Sequence, residues 1–121
     1  MGSYIFAQKV QERNRSRTIK QKRMLLSDKL KELREQKKLP QRKVAAALDI
    51  DTATYSKIEN GKYVPNRDFV LRLSYFFEYD SEQFIKLWLA DRLMEVAKDE
   101  DMAKEAMKLA ADLINEEKEN P

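Results

Sequence analysis

The chain has no cysteine and no histidine, and only two glycines and three prolines among its 121 residues. Without cysteine there is neither a disulfide framework nor a thiolate metal site, which fits a reducing compartment such as the cytoplasm. With histidine missing as well, the common metal clusters and most activated-nucleophile arrangements are excluded. There is no glycine-rich phosphate loop. Carboxylates are plentiful, but they fall at expected helix caps and on polar helix faces. No catalytic, cofactor or metal residue is assigned, no small-molecule ligand is evident, and the chain does not read as an enzyme. Its apolar runs stop short of the roughly 18 residues of a membrane span, so no membrane partner is expected. The basic N-terminus lacks the following apolar segment of a secretion signal.

Lys, Glu, Leu, Ala and Arg dominate what is present, and so little Gly and Pro leaves few turns for a β fold; the class is all-α. The formal net charge of +3 conceals an asymmetry. Residues 1–23 carry +6, residues 24–77 carry +4, and residues 78–121 carry −7. A basic front and an acidic back suit a protein that grips a polyanion with one part and keeps the other away from it.

Three segments follow from the pattern: a basic arm over 1–25, a compact helical domain over 26–80, and a helical extension over 81–121. Met24 offers an alternative start, in which case the arm carries no functional information. Ser27 reads as the N-cap of a first helix over 27–37. Pro40 opens a second over about 40–48, its missing N–H costing nothing at that position. Asp51 caps a third over 52–60, with Tyr55 and Ile58 inward, and Gly61 supplies a left-handed terminator. A fourth follows Pro65-Asn66 and buries Phe69, Val70, Leu73, Phe76 and Phe77. A fifth runs from Asp80 or Ser81 to about 98, apolar on more than one face and so expected to be covered on two sides. Asp99 is expected to cap a sixth, over about 100–117, with a single apolar stripe.

The second and third helices have the makings of a helix-turn-helix. Ala45 and Ala46 are small enough for two helices to cross. Asp49 sits where the turn needs positive φ, which Asp tolerates at modest cost. Ile50 then drops inward as the apolar anchor of the turn. This frame leaves Thr52, Ala53, Ser56 and Lys57 facing outward.

Residues 26–80 resemble the lambda-repressor-like (Cro/C1, XRE) helix-turn-helix domain. The resemblance rests on Leu33-Arg34, Pro40-Gln41, Ala45, Asp49-Ile50-Asp51 and the closing Ile58-Glu59-Asn60-Gly61-Lys62. It implies a bundle of four to five helices, here with two C-terminal helices added, whose third helix meets base edges in the major groove of double-stranded DNA. Carried over by position, Thr52, Ala53 and Lys57 are the candidate base contacts: Thr and Ala for thymine methyls, Lys for guanine O6/N7. Gln41 matches a glutamine that bonds both phosphate and the recognition helix. Arg42, Lys43, Thr54, Ser56, Lys62, Tyr63 and Arg67 are candidate backbone contacts, which fix register without reading sequence. Glu59 reads as structural, pairing with Arg34. The chain departs from the family at Pro40, where Thr or Ser is usual, and at Thr52-Ala53, where well-known phage members carry paired glutamines; their operators do not transfer.

The resemblance implies a transcriptional regulator binding a short operator as a homodimer, in the company of restriction–modification controllers, phage repressors and self-regulating antitoxins. Dimerisation is expected in the C-terminal helices through Phe84, Leu87, Trp88 and Met94. The alternative is a protein-interaction adaptor that has kept the fold.

Overall fold

The computed structural model describes residues 24–119, and nearly all of the basic arm lies outside them. The described residues form six helices and no strand: α1 Leu25–Gln36, α2 Gln41–Ala47, α3 Thr52–Glu59, α4 Arg67–Phe77, α5 Ser81–Ala97 and α6 Ala103–Glu119. No helix among them is long and apolar enough to cross a membrane. The closely packed pairs are α1 with α3, α1 with α5, α2 with α3, and α4 with α5. They enclose one core, in which Leu30, Val44, Tyr55, Val70, Leu73 and Phe84 are the largest fully buried side chains.

Several helix ends fall where local chemistry puts them. Asp51 accepts a hydrogen bond from the Thr54 N–H at 2.6 Å, Asn66 from Phe69 at 2.9 Å, and Asp80 from Glu82 at 2.8 Å. Pro40 precedes α2 without a side-chain cap. Asp49 adopts φ 59° in the turn between α2 and α3, and the Ile50 N–H returns to the Ala45 carbonyl at 3.0 Å. Gly61 has φ 76°, and a Cβ there would come within 2.8 Å of Met24 Cγ. In α4, Val70, Leu73 and Phe77 are buried, while Phe69 and Phe76 pack on the core from its edge.

Three local expectations are corrected. Ser27 is not a cap: α1 opens two residues earlier, and Ser27 turns inward, its Oγ donating to the Ile58 carbonyl at 2.8 Å. The free N–H groups of α1 are met from α5 instead. Asp91 accepts from Leu25 N–H through Oδ1 at 2.8 Å and from Leu26 N–H through Oδ2 at 3.0 Å. Asp99 does not cap α6; it takes φ 63° within the link, and α6 begins at Ala103. Of the two alanines expected at the α2–α3 crossing, only Ala45 is buried, whereas Ala46 is exposed.

The extension divides at α5. One side of this helix enters the core through Phe84, with Leu87 and Trp88 packed against it, but the opposite side is uncovered within the chain. α6 buries none of its residues.

A carboxylate at a helix N-terminus satisfies unpaired N–H groups and opposes the helix dipole. Asp91→Ala should therefore destabilise the chain by about 1–2 kcal/mol, and Asp91→Asn by less, since it keeps an acceptor. Urea unfolding followed by circular dichroism reads both; equal stability of Asp91→Ala and wild type would remove the capping role.

Candidate nucleic-acid interface

The third helix is short, and its outward edge is set by what holds its inward edge. Tyr55, Ile58 and Glu59 are buried. Arg34 reaches Glu59 from α1 in a bidentate pair, Nε to Oε2 at 2.8 Å and Nη2 to Oε1 at 2.7 Å. Its remaining nitrogen, Nη1, donates to the Leu39 carbonyl at 2.8 Å and so fixes the α1–α2 loop. Gln41 Nε2 adds a hydrogen bond to Glu59 Oε1 at 3.3 Å, joining the start of α2 to the end of α3. The pairing of Glu59 with Arg34 expected from sequence is present.

Burial alone would raise the Glu59 pKa. The hydrogen bond from Arg34 leads the opposing effects, and the group stays below the ordinary 4.5. Burial also pushes the neighbouring Tyr55 phenol far above its usual range. At the exposed start of α3, hydrogen bonds from Thr54 lower the Asp51 carboxyl, keeping the cap ionised.

With the inner edge held, Thr52, Ala53 and Lys57 all stand exposed on the outer side of α3. Arg42 and Lys43 on α2, Lys62 and Tyr63 in the following loop, and Arg67 at the head of α4 are exposed as well. Gln41, Thr54 and Ser56 are half-buried. Thr54 borders a cleft of about 110 Å³ with Ile50, Ile58, Tyr63, Pro65, Asn66 and Phe69. Ser56 Oγ accepts from Asn60 Nδ2 at 3.4 Å. The loop itself is held close to the helix, because the Lys57 carbonyl accepts from both Lys62 N–H at 2.8 Å and Tyr63 N–H at 3.1 Å.

Residues 28–91 match the helix-turn-helix domain family, just over half of the chain. The chain belongs to that family, as a member of its lambda-repressor-like, Cro/C1 (XRE) type. Its helix-turn-helix domain is therefore a DNA-binding one. No curated protein and no solved structure matches the chain.

Two of the residues holding this helix-turn-helix in place, Arg72 and Asp91, escaped the sequence reading, and two more, Ser27 and Trp88, were given different roles. Arg72 donates to the Leu48 carbonyl at 2.6 Å, closing the exposed end of α2, while its guanidinium lies over the Phe69 ring at 5.2 Å. Ser27 and Asp91 clamp α1 to α3 and α5. Trp88, expected at a dimer interface, donates its indole N–H to the Pro65 carbonyl at 2.8 Å and so anchors the loop after α3. The other expected interface residues divide. Phe84 is fully buried and offers no surface to a second chain, Leu87 is half-buried against its own core, and Met94 is exposed.

A carboxyl whose folded pKa lies below its unfolded value stabilises the fold above the unfolded pKa, and that contribution is lost as pH falls through the folded one. Glu59 is such a group. Glu59→Gln should cost on the order of 3 kcal/mol at neutral pH, because it leaves the Arg34 charge without its counter-ion. It should also flatten the loss of stability below about pH 4.5, and urea unfolding across that range measures both. An acid limb as steep as in wild type would assign the acid sensitivity to other carboxylates.

Proposed function

We propose that the protein is a sequence-specific transcriptional regulator that binds a short operator as a homodimer. The observation that carries this reading is the outward trio Thr52, Ala53 and Lys57, exposed along one side of a helix whose other side is fixed by buried polar clamps. A side chain can discriminate bases only if its helix is held at one depth and rotation in the groove.

The chemistry divides by position. Lys57 donates to guanine O6 or N7, and Thr52 and Ala53 offer methyl groups, with one hydroxyl, to thymine. Arg42, Lys43, Lys62 and Arg67 neutralise phosphates on either side, and the Tyr63, Thr54 and Ser56 hydroxyls with the Gln41 amide supply neutral contacts. Three base-reading side chains define few base pairs, so two copies on two half-sites supply the specificity that one lacks. The regulator acts where its DNA is, in the cytoplasm, and without chemical catalysis.

The uncovered apolar face of α6 favours a second reading, a protein-interaction adaptor built on this fold. The two readings differ in salt-dependent binding to a defined duplex.

Selection from random duplexes by gel shift should enrich a short sequence. Lys57→Ala should then weaken binding to it by about 1–3 kcal/mol and relax preference at one position per half-site. Arg42→Ala should instead weaken binding to all duplexes alike and reduce the salt slope by about 1 per site. If nothing is enriched and neither variant changes binding, the adaptor reading replaces the regulator.

A further inference from the structure

One cation of α5 is held against the loop that follows α3. Across a cleft of about 660 Å³, Met24, Lys62 and Val64 are set against Asp91, Arg92 and Glu95. The Arg92 guanidinium lies over the Trp88 ring, 4.8 Å from its centroid, and the Trp88 indole N–H is bonded to the Pro65 carbonyl at 2.8 Å. Arg92 is exposed, yet through Trp88 it is tied to the same loop that carries Lys62 and Tyr63.

Arg92 is the first residue past the helix-turn-helix match at 28–91, and it stands in the part of the chain whose balance is −7. In such surroundings an arginine would ordinarily be paired off. Here the nearby carboxylates are engaged elsewhere. Asp91 is buried and accepts from the Leu25 and Leu26 N–H groups, and Glu95 pairs with Lys98 at 3.2 Å. Among the described residues, no carboxylate lies within ion-pair distance of Arg92. Its contact with an indole takes up none of the five guanidinium N–H donors, while it restricts where they can be. An exposed cation that is oriented but unpaired is prepared for an anion from outside.

The charges of the cleft lining alone balance, Lys62 and Arg92 against Asp91 and Glu95. Lys98 beside Glu95 tips the balance positive, and the residues joined to Met24, from Lys20 to Arg23, add three cations and no carboxylate. A DNA strand carries a phosphate about every 3.4 Å along the helix axis, so cations on opposite walls of one cleft can meet successive phosphates. The arginine fork also fits two phosphate oxygens at once.

We propose that Arg92 grips a backbone phosphate of bound DNA, next along the strand from the one met by Lys62. The proposal rests on the reading of Lys62 as a backbone contact, and it extends the DNA interface beyond the helix-turn-helix onto α5. Such a contact fixes register and carries no sequence information.

The test titrates a labelled mixed-sequence duplex with the full chain over a range of salt, followed by fluorescence anisotropy. Arg92→Gln should reduce the slope of log affinity against log salt by about 1 for each copy bound, and weaken binding to all sequences alike. Arg92→Lys should keep the wild-type slope, since lysine also neutralises a phosphate although it lacks the fork. Lys108→Gln, the same loss of charge on the exposed side of α6, should leave the slope unchanged. A wild-type slope in Arg92→Gln overturns the contact. So does an equal fall in Lys108→Gln, which would make the effect one of net charge. An equal fall in Arg92→Lys overturns it too, by assigning the loss to the ring contact. An unchanged helical circular dichroism spectrum checks that each variant is folded. Arg42→Ala is the reference for the interface itself. A lowered slope in Arg42→Ala without one in Arg92→Gln removes this contact alone, whereas a wild type that binds no duplex removes the reading of Lys62 and Arg42 with it.

Discussion

The bidentate pair between Arg34 and Glu59 is the constraint on which the rest of this structure depends. The helix it holds, α3, has eight residues, fewer than a helix needs to persist alone in water. Its stability and orientation therefore come from its neighbours. Glu59 ends α3 and is buried, so its charge must be met, and both carboxylate oxygens are met from outside the helix. Arg34 fills both and also binds the Leu39 carbonyl. One guanidinium thus fixes α1, the α1–α2 loop and the end of α3 together. A planar fork suits this work in a way that a lysine ammonium would not, because it sets angle as well as distance.

The same device is repeated outward from that pair. Ser27 ties α1 to the last turn of α3, Asp91 ties α5 to the first turn of α1, Arg72 ties α4 to the end of α2, and Trp88 ties α5 to the loop after α3. Each is a side chain satisfying backbone groups at a helix end or loop, where an unmet N–H or C=O would otherwise be stranded against the core. The apolar core sets the general arrangement of the helices, while these directional bonds select one rotation and depth for each. For a helix proposed to present three side chains to base edges, that selection matters more than raw stability.

Much of the fold was legible because the signals are local. The caps at Asp51, Asn66 and Asp80 and the positive φ at Asp49 and Gly61 each depend on residues a few positions apart. The cap at Asp51 also fixes the phase of α3, which is why the exposure of Thr52, Ala53 and Lys57 followed from sequence. The misreadings are nonlocal. Ser27 stands before a periodic apolar run as a cap would, but the actual cap comes from Asp91, more than sixty residues away. Phe84 and Trp88 sit on a helix apolar on two sides, and the residue types alone do not tell which side the chain covers for itself. Ala46 and Asp99 show the same limit on a smaller scale: a suitable residue type at nearly the right position was taken for the occupied one.

The division within α5 has a mechanical consequence. Its inner side carries Asp91 and Trp88, which hold α1 and the loop after α3, while its outer side carries the uncovered stripe one turn away. In the proposed homodimer, a second chain seated on that stripe would be separated from α3 by only two fixed steps, Asp91 to α1 and then Ser27 and Arg34 to α3. There is no flexible linker along this path in which a change of angle could be absorbed. The geometry of pairing would therefore be passed on to the spacing and relative orientation of the two reading surfaces. With as few base contacts as proposed, rejection of wrongly spaced half-sites would add specificity that Thr52, Ala53 and Lys57 would not supply by themselves.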